Sequence, residues 1–214
     1  ALGSASVSLM NLCQAYTPFA RGGSTIKPRL VLKVQSAWGE ELFRSEPETR
    51  EAISPQTAFI MATLMKDVVQ YGTGWRAKEL GRPVAGKTGT SNDERDAWFM
   101  GYTPYLLTGV WVGFDQLQPM GRLETGSRAA SPIWVAYRRQ VEEKFPYQDF
   151  EQPPGIVMVR IDAKNGLLAG PNTTEDLFLP FKEGTQPTEV SRGGGEVNSG
   201  GASGSEEDLF KQVY

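Results

Sequence analysis

The 214-residue sequence contains no histidine and a single cysteine, Cys13. The first absence removes the Ser-His-Asp and Cys-His nucleophile systems and most zinc enzymes. The second removes an internal disulfide and any cysteine-rich metal site. Cys13 lies within a helical pattern and reads as a core thiol. Acid–base chemistry therefore falls to Lys, Glu, Asp or Tyr. No apolar run approaches membrane-spanning length, and no signal-peptide pattern opens the chain. A surplus of positive charge is missing too: the formal net charge is −3, so no basic field draws nucleic acid. The chain begins with Ala rather than Met, as expected of a processed chain or of the end of something longer.

What is present suffices for one domain or two small ones. Hydrophobic residues make up 39% of the chain, with five Trp, enough for a packed core. "SVSLMNLCQAYTPFARGG" places Leu9, Leu12, Ala15, Tyr16 and Phe19 at helical spacing, with Ser6 or Ser8 as N-cap and Gly22–Gly23 as terminator. "RLVLKVQSAWGEELF" alternates Leu30, Leu32 and Val34 and turns at "AWGEEL", a hairpin pattern. "SPQTAFIMATLMKDVVQYGTG" is a helix with Ser54 as N-cap, Pro55 in the first position, and Phe59, Ala62, Met65 and Val69 on its apolar face. "PVAGKTGT", "DAWFMGYTP" and "LLTGVWVGFD" are strands joined by short turns. "SPIWVAYRRQVEEKF" repeats the Ser-Pro helix start at Ser131–Pro132, with Ile133, Tyr137 and Val141 four residues apart. After Pro146, "GIVMVRIDAKNGLLAG" alternates Val157, Val159 and Ile161, and Asn165–Gly166 suits a hairpin turn. From about Arg192, "RGGGEVNSGGASGSEED" has the composition of a disordered tail, with "LFKQVY" as a candidate docking end.

One motif invites a nucleotide. "GRPVAGKT", residues 81–88, fits the phosphate-loop pattern G-x-x-x-x-G-K-[ST]. Such a loop bends from a buried strand into a helix, and its N–H groups point at the anion. Here Pro83 lacks an N–H, "WRAKEL" before the loop is no buried strand, and "GTSNDERD" after it cannot open a helix. "GVWVGFD", ending at Asp115, imitates a magnesium-binding strand. It follows "DAWFMGYTPY" through the tight turn "TPYL", however, so the two strands are antiparallel. A parallel pair needs a crossover of a dozen residues or more.

The overlapping "KTGT" makes better sense as an edge strand. Lys87 and Gly89 then share one face, Thr88 and Thr90 the other. Gly89 lets a second backbone approach, and a peptide can lie alongside as an added strand. Threonine hydroxyls can donate to a carboxylate, and an N–H at the strand end can serve an oxyanion hole. Lys87 adds positive charge without histidine. A surface strand with ordinary polar residues fits the same four letters.

A longer stretch narrows the choice. "YGTGWRAKELGRPVAGKTGTSNDERDAWFMGYTPYLLTGVWVGFD", the helix before it and "ETGSRAASPIW" after it resemble the transpeptidase domain of bifunctional (class A) penicillin-binding proteins. The resemblance runs from about Ala1 to Phe145, and "GIVMVRIDAKNGLLA" is similar to the segment that follows this domain in the family. It implies an α+β fold: a five-stranded antiparallel sheet with helices on both faces, as in serine β-lactamases. It also implies three motifs, S-x-x-K, S-x-N and K-T-G. The serine attacks the penultimate D-Ala of a peptidoglycan stem peptide and expels the terminal D-Ala. The acyl group then passes to an amine of a neighbouring stem. β-Lactams mimic D-Ala-D-Ala and trap the serine. No cofactor and no metal are implied. Lys87, Thr88 and Gly89 match the third motif. Thr88 and Thr90 are expected to bind the substrate carboxylate, the Thr90 N–H to complete the oxyanion hole, and Lys87 to steer the carboxylate and support proton traffic.

The family's first two motifs lie more than a hundred residues before the third, upstream of Ala1. The one S-x-x-K here, "STIK" from Ser24 to Lys27, follows Gly22–Gly23, precedes Pro28 and leads into a strand. It lacks the helical turn that would bring the lysine to the serine. The nucleophile is therefore expected outside this chain, which alone should be inactive. The expected organisation is residues 1–145 as the C-terminal portion of the transpeptidase domain, 146–191 as a post-domain hairpin segment, and 192–214 as a disordered tail. The rest of the transpeptidase domain, a glycosyltransferase domain and a membrane anchor are expected upstream, which places the chain on the periplasmic face of the cytoplasmic membrane. The alternatives are a non-catalytic wall-binding module of the same fold, or a nucleotide-binding protein using residues 81–88.

Overall fold

The computed structural model describes residues 6–192. The tail expected to be disordered lies, beyond Arg192, outside the described residues. The chain divides into two units between Glu151 and Gln152.

The first unit opens with helix α1, Leu9–Ala20, whose N-cap Ser8 accepts a hydrogen bond from the Asn11 N–H at 3.1 Å. Four short strands follow: β1 (Ser24–Ile26), β2 (Lys33–Gln35), β3 (Glu41–Arg44) and β4 (Thr49–Glu51). They form two separate antiparallel pairs, β1 with β4 and β2 with β3. The β2–β3 hairpin turns through Ser36–Glu40, where Gly39 takes a positive φ of 88°. It leaves Val34, Trp38, Leu42 and Phe43 exposed, as is Leu30 just before it. Helix α2, Pro55–Gln70, is capped by Ser54 and buries Ala58, Ala62, Met65 and Val69.

The centre of the unit is an antiparallel sheet of β5 (Ala85–Thr90), β6 (Asp96–Tyr102) and β7 (Leu107–Gly113), in that order. Among the described residues it has these three strands, and neither short pair extends it. Strand alternation sends Ala97, Phe99, Val110 and Val112 to one face, where they meet Trp134 and Val135 of helix α3 (Ser131–Val141). Phe99 and Trp134 pack edge to face at 5.3 Å. The indole N–H of Trp134 donates to Gly101 O and Thr108 O, pinning α3 to two strands. The opposite face carries Ala85 and Tyr102 against Ala62 and Met65 of α2, with Tyr16 and Phe19 of α1 beside them. A fully buried Phe, Val or Met side chain among these contributes about 1.5–3 kcal/mol, a buried Ala methyl about 0.8 kcal/mol. The fold is thus α+β, with helices on both faces of an antiparallel sheet.

Two local details differ from simple periodicity. The buried stripe of α3 is Ser131, Trp134, Val135 and Arg138, while Ile133 and Tyr137 are exposed. Arg138 is buried because Glu142, Thr103 and the Leu106 carbonyl satisfy its guanidinium. Residues 146–151 stay with the first unit: Phe150 stacks edgewise on Tyr102, and Lys66 bonds Asp149 at 2.7 Å.

The second unit is built on β8 (Ile156–Asp162) paired antiparallel with β9 (Asp176–Lys182). The Asn165–Gly166 turn forms, with Gly166 at φ 73° and its N–H bonded to Asp162 O. It leads only to an isolated bridge between Ile161 and Leu168. The main partner of β8 comes later, after residues 163–175.

Candidate functional site

The site is built on β5, the edge strand of the central sheet among the described residues. Gly81, in the left-handed region at φ 69°, ends the turn Trp75–Leu80 and starts the run into the strand. Arg82 anchors that run by donating to the carbonyls of Phe145 and Pro146. Val84, Ala85 and Gly86 are buried, and the strand becomes more exposed from Lys87 onward. Lys87 and Thr88 therefore sit inside a strand whose successor is the antiparallel β6, paired Lys87 to Met100 and Thr90 to Ala97. No helix starts at Thr88, so residues 81–88 lack the strand–loop–helix geometry of a phosphate loop.

All four residues of "KTGT" fall on this strand. Thr88 and Thr90 share the face of Phe99 and Ala97, and Lys87 and Gly89 share the other. The Thr90 hydroxyl accepts a hydrogen bond from the Gly126 N–H at 3.1 Å. That leaves its own proton free to donate outward. The Thr88 hydroxyl lies 2.6 Å from the Thr73 hydroxyl. The Lys87 ammonium donates to Thr88 O at 2.9 Å. Its side chain is exposed overall, yet crowding against the sheet removes enough water to pull its pKa below the ordinary lysine value.

Gly126 is the key to the second wall. The chain from Thr125 to Ala130 crosses close over the β5–β6 backbone, and a Cβ on Gly126 would strike the carbonyls of Trp98 and Gly89, the latter at 2.6 Å. Only glycine permits that approach. Nearby, the β5–β6 loop holds Asp93 at φ 60° and Glu94 at φ 51°. Glu94 ties this loop to the next: its carbonyl accepts from Met120 N, and its carboxylate accepts from the N–H of Leu123, itself at φ 67°. These three are the left-handed non-glycine residues of the described chain. Such conformations cost about 1–3 kcal/mol each and persist where surroundings enforce them.

Ser24 and Lys27 are placed apart from this site. Ser24 begins β1, opposite Glu51, and Lys27 pairs with Glu48 at 3.3 Å. Three residues apart in an extended chain, the two side chains point to opposite faces. Thr73, Gly126 and Glu94 were not singled out by their sequence pattern. The available signals were the glycines flanking Thr73 in "YGTG" and the single glycine of "ETGS".

Comparison with known proteins follows the same lines. The "Penicillin binding protein transpeptidase domain" family matches residues 1–134, and "Penicillin-binding protein 1A, C-terminal domain" matches residues 152–193. Penicillin-binding protein 1A of Aquifex aeolicus is 41% identical over 87% of this chain and 26% of its own length. Penicillin-binding protein 1A of Pseudomonas aeruginosa is 33% identical over 89% of this chain and 29% of its own. The chain thus spans about a quarter of the length of these relatives. Among solved structures, penicillin-binding protein 1A from Haemophilus influenzae superposes with a TM-score of 0.81 at 29% identity, over 89% of this chain and 34% of that one. PonA1 from Mycobacterium tuberculosis gives 0.60 at 29% identity, over 68% and 41%.

Proposed function

The chain belongs to the penicillin-binding protein transpeptidase family, and from that premise we propose that it supplies the substrate-binding wall of a peptidoglycan D,D-transpeptidase. In this reading a stem peptide ending in D-Ala-D-Ala, or a β-lactam, lies along the outer edge of β5. Thr88 and Thr90 donate to its terminal carboxylate, Lys87 supplies a complementary charge, and the Thr90 N–H faces the developing oxyanion. A serine from the preceding part of the parent protein attacks the penultimate D-Ala carbonyl. The C–N bond to the terminal D-Ala breaks, and an amine of a neighbouring stem takes up the acyl group. Among the described residues no serine stands in a helical S-x-x-K turn, and in this reading the chain alone is inactive. The parent works at the periplasmic face of the cytoplasmic membrane, with a glycosyltransferase domain elsewhere in its chain. Among the described residues no helix is long and apolar enough to cross a membrane.

The observation that carries this reading is the Thr90 hydroxyl. Gly126 N–H fills one of its lone pairs, so on an edge strand its proton remains available to an external acceptor. The test is the intact mass of the natural polypeptide containing this segment after incubation with penicillin. A single penicilloyl adduct mapped upstream of Ala1 supports the reading. An adduct on Ser24 overturns the division of labour, and no adduct on the folded parent favours a non-catalytic wall-binding relative.

A further inference from the structure

The residue Thr73 is not part of the "KTGT" strand, but its hydroxyl lies 2.6 Å from that of Thr88. Its place is fixed by the end of α2. The N–H groups of Gly72 and Gly74 both donate to the Val68 carbonyl, so the backbone on either side of Thr73 is tied to the last helical turn. Gly74 is buried there, with an added Cβ meeting Val68 O and the Val69 side chain at 3.2 Å. The ammonium of Lys78 caps the same helix end through Gln70 O.

A threonine hydroxyl has one proton to give and two lone pairs to fill. In the pair Thr73–Thr88 either residue can donate. If Thr88 donates to Thr73, its proton is consumed and it presents only lone pairs, which repel an anion. If Thr73 donates to Thr88, the Thr88 proton is free. Thr90 on the same face already has this polarity, because its partner is a backbone N–H that can only donate. Chained hydrogen bonds polarise one another, so a donor behind Thr88 strengthens the bond that Thr88 makes in front.

We propose that Thr73 is a positioning residue for anion recognition: it donates to Thr88 so that Thr88 and Thr90 present two hydroxyl protons, side by side, to the carboxylate of the acyl donor. The inference rests on the reading of β5 as the carboxylate-binding strand. Thr73 does not touch substrate; it sets the direction of a hydroxyl that does.

The test uses the full-length parent and measures acylation by benzylpenicillin and by its methyl ester, which lacks the anionic carboxylate. Thr73→Val should slow acylation by benzylpenicillin about tenfold, the size of a hydrogen bond to a charged group, and should slow the ester much less. Thr73→Ser, which keeps the hydroxyl, should recover most of the rate. In a Thr88→Val background, Thr73→Val should add little. If Thr88→Val is slow and Thr73→Val is not, Thr73 has no such role while the reading of β5 stands. If Thr73→Val and Thr73→Ser are equally slow toward both probes, the residue is structural and the proposal fails. If Thr88→Val itself leaves acylation unchanged, the reading of β5 falls and this inference falls with it.

Discussion

Gly126 and Thr90 lie 36 residues apart in sequence and meet through a 3.1 Å hydrogen bond from the glycine N–H to the threonine hydroxyl. The same glycine passes so close to β5 that a methyl group would overlap Gly89 O. Gly126→Ala must therefore push the 125–130 segment off the strand. The obstacle is backbone on both sides, which cannot rotate away. We expect a loss of about 1–3 kcal/mol in stability, typical of overpacking. Acylation of the parent by penicillin should fall by about tenfold or more as Thr90 loses its donor. Thermal unfolding and stopped-flow acylation of the same variant separate the two effects.

Lys87 provides a pH test. Partial desolvation lowers its pKa from the ordinary 10.5, so the ammonium persists below the shifted value and is lost as pH rises through it. If the charge helps to hold the carboxylate, acylation should decline on the alkaline side before pH reaches the ordinary value. Lys87→Ala should be slower throughout, on the order of tenfold to a thousandfold, and should lack that alkaline limb. A wild-type profile flat up to the ordinary lysine range would separate the ammonium from carboxylate binding.

The central elements were legible because each carried two signals that agree. The Ser54–Pro55 start and the apolar face through Val69 both indicated α2, and the three strands from Pro83 to Asp115 alternated and were divided by short turns. The failure of the phosphate-loop motif was legible too, since Gly, Ser, Asn and Asp after Thr88 cannot open a helix. The buried face of α3 was not. A charged residue at 138 reads as solvent-facing, and only long-range partners reveal that it is enclosed. The Thr73–Thr88 and Gly126–Thr90 contacts escaped for the same reason. Spacing within one element says nothing about which loop returns to its edge.

Arg138 and Glu142 should dominate the stability of the first unit. Arg138 is fully buried, Glu142 nearly so, and the guanidinium also holds Leu106 O and Thr103 Oγ1, in the turn between β6 and β7. Arg138→Ala strips the buried Glu142 carboxylate of its hydrogen-bonded cation, leaving it only Arg82 at 3.9 Å, and should cost about 3–5 kcal/mol. Replacing both partners, as in Arg138→Met with Glu142→Leu, should cost much less than the sum of the two single changes, because no charge is stranded. Urea midpoints of the two single variants and the double variant give the coupling. Additive losses would mean that the pair acts as two independent groups.

Asp162 sets the acid limit of the second unit. At the end of β8 it is 5% exposed and accepts hydrogen bonds from Ser191 Oγ at 2.6 Å, the Lys164 N–H at 3.0 Å and Thr173 Oγ1 at 3.3 Å. The Ser191 bond, then the Lys164 bond, holds the carboxyl pKa below its ordinary 3.8. A carboxylate with a depressed folded-state pKa adds stability that is fully present above its unfolded value and is lost as pH falls through the folded one. The second unit should therefore loosen progressively below about pH 4, the ordinary carboxylate range, while remaining closed at neutral pH. All five tryptophans lie in the first unit, so fluorescence does not report this event; amide exchange along β8 and β9 does. Asp162→Asn should raise exchange there at pH 7 and flatten its acid dependence, leaving only what the exposed Arg160–Asp176 pair contributes. The substitution keeps the shape but gives up the charge-assisted bonds, which are roughly twice as strong as neutral ones. Unchanged protection at pH 7 in Asp162→Asn would place the hold on Ser191 elsewhere than in this carboxylate.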